Sequence, residues 1–220
     1  IPHFRDTGEV RLLPGAAEVA SLFRSAGVAV SLGHSNASYE LASAALEGDF
    51  RHVTHAFNAQ SGFHHRQPGV FGAVMASQGA TVELIADGVH VHPGAMKVLH
   101  RCLGSDRVVL ITDAMPAAGL SDGVYQLVGN PVYVKDGQAH LQDGTIAGST
   151  ALMNACVWNM HTRVGVPWIE AVKMASYNPA KAMGLDHRLG SLQAGKDASL
   201  VILGPAGDVH GTVVKGKPSG

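Results

Sequence analysis

Only two cysteines, Cys102 and Cys156, occur in 220 residues, far apart and outside any C-x-x-C context. That excludes a disulfide framework and suits a reducing cytoplasm. No apolar run approaches the 18 or so residues of a membrane-spanning helix, and no signal-peptide pattern precedes the fold. Neither a basic stripe nor interleaved aromatics are present and the net charge is −1, which excludes nucleic acid as a partner. Charged residues make up 15% against 46% hydrophobic, so the chain can bury a core and is not a disordered one. Aromatics are scarce at 5% while glycines number 27, a balance that suits tight βα turns better than a sandwich core. The length allows one large domain or one and a half ordinary ones. What is plentiful is histidine: 13 residues, enough to prompt a search for metal ligands.

The stretch RHVTHAFNAQSGFHHRQPGVFG, residues 51–72, concentrates the polar groups. A short β-compatible run stops at His55, and a loop with Asn58, Gln60, His64, His65 and Arg66 follows before Pro68-Gly69 opens a helix. Loops after parallel strands are where α/β enzymes keep their chemistry. Around it the chain alternates. A helical pattern runs from Pro14 through Val19, Leu22 and Phe23 to a capping Gly27. Residues 28–32 are a strand ending in Gly33-His34, and Ser38 caps a helix through Leu46. Residues 69–77 are helical, 81–86 a strand running into Asp87-Gly88-Val89-His90, Pro93 starts a helix through Leu103, and 108–111 form a strand ending in Thr112-Asp113. Residues 1–13 show no clear element. Strict alternation predicts a parallel α/β architecture.

Beyond Asp113 the pattern changes. Residues 125–141 read as short strands separated by Gly129-Asn130-Pro131 and Asp136-Gly137, with a further turn at Asp143-Gly144. Ser149 is the expected N-cap of a helix reaching about Thr162; Pro167 opens another through Ala175, and Asn178-Pro179 a short one. The Gly-rich, β-like remainder predicts a division into a partial (β/α) barrel over 1–185, with a β-hairpin insertion at about 120–145, and strands of a small β-domain over 186–220.

Four polar residues close the four predicted strands: His34, His55, His90 and Asp113, each about one βα repeat from the next. In a (β/α) barrel the strand C-termini converge on one face, so these side chains should meet there. A single histidine at a strand end is more often a hydrogen-bonded structural group; three with an aspartate at consecutive ends point to a site.

The segments GHSNASY (33–39), THAFNAQSGFHHRQPG (54–69), IADGVHVHP (85–93), ITDAMPAAG (111–119) and GTIAGST (144–150) resemble the N-acetylglucosamine-6-phosphate deacetylase family. NPAKAMGL and GSLQAGKDASLVIL resemble the wider amidohydrolase superfamily, and the resemblance covers residues 14 to 217. It implies the C-terminal half of a metal-dependent (β/α)8 barrel followed by strands of a β-sandwich. The implied reaction is hydrolysis of the acetamide of N-acetylglucosamine 6-phosphate to glucosamine 6-phosphate and acetate, in a cytoplasmic homodimer.

By position, the resemblance makes His34 and His55 ligands of a divalent metal, zinc or iron, and Asp113 the general base and then acid. It assigns Asn58 and Ala59 to the sugar phosphate, and Arg66 to phosphate neutralisation, often in a neighbouring subunit's site. His90 becomes a substrate-binding histidine, and Ile146, Ala147 and Gly148 a loop lining the pocket. These types suit the chemistry: an amide is a poor electrophile and needs an activated water, and a carboxylate can carry that water's proton to the departing amine. Arginine matches phosphate through a two-pronged planar contact.

Two departures accompany the resemblance. The family takes a metal-binding glutamate from an earlier strand, and Asp6 and Glu9 lie outside any copy of that motif. Residues 10–14 look abridged, and the chain begins at Ile1. The expectation is a C-terminal part of the family's chain, whose open edges and two histidine ligands would by themselves hold metal weakly. The competing readings are another amidohydrolase, an aminoacylase or cyclic amidase, and a non-catalytic remnant lacking the glutamate. Arg66 with Asn58-Ala59 weighs against the first, whose substrates carry no phosphate; metal content would decide the second.

Overall fold

The computed structural model describes the backbone of residues 3–4 and residues 15–219. Strands and helices alternate as β1 (His3–Phe4), α1 (Ala16–Ser25), β2 (Ser31–Leu32), α2 (Tyr39–Glu47), β3 (His52–Val53), α3 (Gly69–Ala76), β4 (Thr81–Ile85), α4 (Pro93–Leu103) and β5 (Val108–Ile111). The five strands form one sheet in the order β1-β2-β3-β4-β5, every neighbouring pair parallel. Parallel strands joined by helices all point the same way, so their C-terminal ends lie along one edge. That edge carries the candidate site.

Burial explains the strands and helices. Val82, Leu84, Ile85, Val108, Val109 and Leu110 are buried, as strands covered on both faces require. The first six residues of α3, Gly69 to Val74, are all buried, so this helix is apolar all round. α4 shows the other pattern, with Met96, Leu99 and Leu103 inward at helical spacing and Pro93 in its first turn. Ser38 caps α2 by accepting from the Leu41 N–H at 3.3 Å.

α5 (Met153–Asn159) runs on into a π-helical turn at Met160–Val164, and α6 (Trp168–Ala175) and α7 (Tyr177–Ala182) follow. All three helices pack on β5. The Asn178 side-chain amide donates to Ser105 O at 2.6 Å and Val108 O at 2.7 Å, fixing α7 to the entry of that strand. Two antiparallel sheets complete the chain: β6 (Gly123–Leu127), β7 (Asn130–Lys135) and β8 (Gln138–His140), then β9 (Leu200–Leu203), β10 (Val209–Val214) and β11 (Lys217–Ser219). Among the described residues no helix is long and apolar enough to cross a membrane.

Several expectations needed correction. A fifth parallel strand, β1, stands where residues 1–13 showed no element; two residues are too few to carry a pattern, and its pairing with β2 defines it. Asp6, Glu9, residues 10–14 and Pro14 lie outside the described residues. In α1 it is Ala16 and Ala20 that are buried, while Val19, Leu22 and Phe23 are exposed. Ser149 is not an N-cap, because its N–H donates to Asp113 O and its C=O accepts from Met115 N–H, both at 2.9 Å, which holds it extended. α5 begins only at Met153. The β6–β7 turn is Val128-Gly129, both with positive φ (50° and 82°), and Asn130-Pro131 belong to β7. The Asp136-Gly137 turn stands where expected, with φ 51° and 70°.

Arg107 anchors one flank of the sheet. Its guanidinium donates to Ala80 O, Ser77 O, Val74 O and Ser77 Oγ at 2.7 to 3.0 Å, closing the C-terminal end of α3. Removing it takes the side-chain donor from the Ala80 and Ser77 carbonyls, while Val74 O keeps the Ser77 hydroxyl and N–H. Arg107→Ala is expected to lower the unfolding free energy by about 2–3 kcal/mol, read as a shifted urea midpoint with an unchanged slope. An unchanged midpoint would show that water replaces the guanidinium at no cost.

Candidate active site

Three of the predicted site residues share one backbone device. His34 lies two residues past the end of β2, His55 two past β3 and Asp113 two past β5, and their φ values are 50°, 28° and 49°. Left-handed backbone is uncommon for residues with a Cβ and costs free energy, and it gathers at functional sites. Gly33, before His34, is required by close approach: a Cβ there would stand 2.8 Å from Thr54 Cβ.

At β4 the matching position, two past Ile85, is Asp87 and not His90. The Asp87 carboxylate accepts from the Val89 and His90 N–H groups, each at 2.9 Å, and its other oxygen meets His90 Nδ1 at 2.6 Å. His90 therefore stands on the loop after β4, its ring and its N–H both held by Asp87. Burial pushes the Asp87 carboxyl up, but the His90 ring and the two N–H groups outweigh it and hold the group below the usual carboxylate range. The run Asp87-Gly88 at the strand end was the signal for this residue in the sequence.

His34 and His55 meet. Their Nε2 atoms are 2.9 Å apart and the rings are edge-to-face, with centroids at 4.6 Å. His55 is buried, and its Nδ1 has no hydrogen-bond partner. Two imidazole nitrogens aimed at each other at this distance fit neighbouring positions around one divalent ion, whose Zn–N bonds are about 2.0–2.1 Å. Among the described residues no group of three or more His, Cys, Asp or Glu is placed to hold a metal. The fit is thus to two protein ligands.

Behind them lies a pair that sequence reasoning missed. His52 Nε2 is 3.0 Å from Glu83 Oε1, and Glu83 Oε2 accepts from the His55 N–H at 3.3 Å. Burial pushes the Glu83 carboxyl up, yet the hydrogen bond and charge of His52 and the contacts with His55 bring it below the ordinary range. A charged residue in the middle of the strand TVELI was the available signal.

The remaining predicted residues divide into two sets. Asn58 is tied to the His55 turn, its side-chain amide donating to His55 O at 3.4 Å and Ala56 O at 3.1 Å. Ala59 follows, exposed and left-handed at φ 47°. The Ile146-Ala147-Gly148 run is brought to Asp113 through the Ser149 N–H bond to Asp113 O. Gly148 has φ 81°, and a Cβ there would lie 3.0 Å from Met115 Cβ and 3.3 Å from Asp113 O. Ala147 is buried and Ile146 exposed. Arg66 stands apart on an exposed turn, His64 to Gln67, with Nη1 2.7 Å from His65 Nε2. Cys156 is no rival nucleophile: burial, with the Asp87 charge, pushes its thiol up to about 11.

Comparison with known proteins gives the family of the fold. The sequence pattern of the amidohydrolase family matches residues 12–218. An N-acetylglucosamine-6-phosphate deacetylase of Vibrio furnissii is 44% identical over 203 residues, 92% of this chain and 51% of that protein. An N-acetylgalactosamine-6-phosphate deacetylase of Escherichia coli O157:H7 is 44% identical over 189 residues, 86% of this chain and 50% of its own. Among solved structures, a mutant N-acetyl-D-glucosamine-6-phosphate deacetylase of Mycobacterium smegmatis, in complex with N-acetyl-D-glucosamine-6-phosphate, superposes with a TM-score of 0.88 at 37% identity, over 93% of this chain and 54% of that one. The chain spans about half the length of these relatives. With its parallel sheet read as part of a (β/α)8 barrel and its flanking antiparallel sheets, the chain belongs to the amidohydrolase family.

Proposed function

We propose that the protein takes part in hydrolysing the acetamide of N-acetylglucosamine 6-phosphate, releasing acetate and glucosamine 6-phosphate. The observation that carries this is the meeting of His34 and His55 Nε2 at 2.9 Å at neighbouring strand ends, in a chain 44% identical to a deacetylase of that substrate. A divalent ion, zinc or iron(II), held by His34 and His55 would supply Lewis-acid chemistry toward the amide carbonyl and toward water. Asp113 takes the proton of the attacking water on its carboxylate and delivers it to the departing amine nitrogen. Without that delivery the tetrahedral species would expel hydroxide and return to the amide.

His90, held by Asp87 through Nδ1, directs Nε2 toward the sugar. Asn58, Ala59 and Arg66 bind the phosphate, and Ile146, Ala147 and Gly148 wall the sugar pocket beside Asp113. The proposal includes a homodimer in which Arg66 binds the phosphate in a second copy's site; its exposure on the His64 to Gln67 turn supports this reading. The chain divides at about 185, barrel segment before and small β-domain after. Two free cysteines, one of them exposed, suit a cytoplasmic location.

The test is acetate release from N-acetylglucosamine 6-phosphate, its galactosamine epimer and unphosphorylated N-acetylglucosamine. The first should be turned over fastest; preference for the epimer would reassign the sugar. Arg66→Ala should lower kcat/KM on the phosphorylated sugar about ten- to a hundredfold, the scale of a charge-assisted phosphate contact of about 1.5–3 kcal/mol. Activity on the unphosphorylated sugar should hardly change. Equal losses on both would make Arg66 a structural residue.

A further inference from the structure

The buried pair behind His55 has a specific relation to it. Thr54 N–H donates to Leu32 O of β2 at 2.9 Å, so regular alternation would give only the next N–H to β4. The left-handed turn at His55 breaks that alternation, and two successive N–H groups face Glu83. His55 N–H goes to the carboxylate Oε2 at 3.3 Å and Ala56 N–H to the main-chain O at 2.8 Å. Glu83 thereby holds the peptide units on both sides of His55. The carboxylate is itself held by His52, whose Nδ1 meets Thr81 Oγ1 at 2.5 Å and whose Nε2 meets Oε1 at 3.0 Å. His52 and Glu83 side chains are only 4% and 12% exposed, so water does not substitute for these contacts.

We propose that Glu83, fixed by His52, is a positioning residue for the metal ligand His55, holding the strained backbone turn that aims Nε2 at His34. This rests on reading His34 and His55 as metal ligands. Partners of this kind, which touch a ligand and not the metal, typically govern metal affinity by ten- to a hundredfold. The function is one of reach. Glu83→Asp keeps the charge but withdraws the carboxylate by about 1.5 Å, one carbon–carbon bond, and the His55 N–H loses its acceptor. Glu83→Gln keeps the length: its amide oxygen accepts from His55 N–H, and His52 takes the tautomer that accepts from the amide nitrogen.

The test is the dissociation constant for Zn²⁺, by chelator competition on the purified protein, with the thermal midpoint of the metal-free form alongside. Glu83→Asp should bind Zn²⁺ about ten- to a hundredfold more weakly, Glu83→Gln within about threefold of the unaltered protein, and the two metal-free midpoints should agree within a few degrees. Wild-type affinity in Glu83→Asp, or an equal loss in both variants, overturns the proposal. An unfolded Glu83→Asp protein overturns it too, since the carboxylate would then be holding the fold and not the ligand. His55→Ala is measured in parallel. If that variant keeps its zinc, the ligand reading has failed; if it loses zinc while Glu83→Asp does not, only the positioning role has.

Discussion

Asp113→Asn is expected to leave the fold and the metal content in place and to lower deacetylation about a hundred- to ten-thousandfold, the range of a lost general acid–base group. The fold should survive for two reasons. The structural work at this position is done by the backbone, whose C=O accepts from Ser149 N–H, and the side chain is exposed. The left-handed φ of 49° also suits asparagine, one of the few residues with a Cβ that adopt it readily. The amide has the size of the carboxylate but can neither take the proton of the attacking water nor return one to the amine. The measurements are kcat for acetate release, metal per chain and the far-UV circular dichroism spectrum. Turnover near that of the unaltered protein, with metal retained, would remove Asp113 from the chemistry.

How much of this was legible in the sequence depended on the range of the interaction that decides each feature. Pro93 to Leu103 and Val108 to Ile111 fall where expected, because Pro at the first turn, a buried stripe at helical spacing and a continuous apolar run are local signals. The meeting of His34 and His55 was legible through topology: parallel neighbours bring their ends together. Left-handed backbone at His34, His55 and Asp113 was not, because it is set by how each strand leaves the sheet. The same cause misplaced His90 in the strand-end register, where Asp87 stands. Ser149 looked like a helix cap by type, yet its peptide groups are used by Asp113 and Met115, more than thirty residues away in sequence. Glu83 and His52 were visible only as polar residues on buried strands; their partnership is a cross-strand contact that no local pattern reports.

His34→Ala and His55→Ala should each release the metal, whereas His64→Ala and His92→Ala should not. With two nitrogens meeting at 2.9 Å, loss of either ring leaves a single protein ligand among the described residues, and one imidazole does not retain a divalent ion through dialysis. The other two histidines have different occupations. His64 is exposed on the Arg66 turn, its Nδ1 accepting from Arg66 N–H at 3.3 Å and its ring beside His65 at 4.3 Å between centroids. His92 caps α4, its Nδ1 accepting from Gly94 N–H at 3.1 Å. His92→Ala should therefore lower stability by about 0.5–2 kcal/mol, the worth of a helix cap, with metal unaffected. The separation of the two effects is the informative part: a thermal shift without metal loss at His92, and metal loss at His34 and His55. Metal per chain by elemental analysis after dialysis, paired with thermal midpoints, reads both. Equal metal loss at all four positions would mean that the ion is held by surface histidines in general, and the strand-end assignment would fall with it.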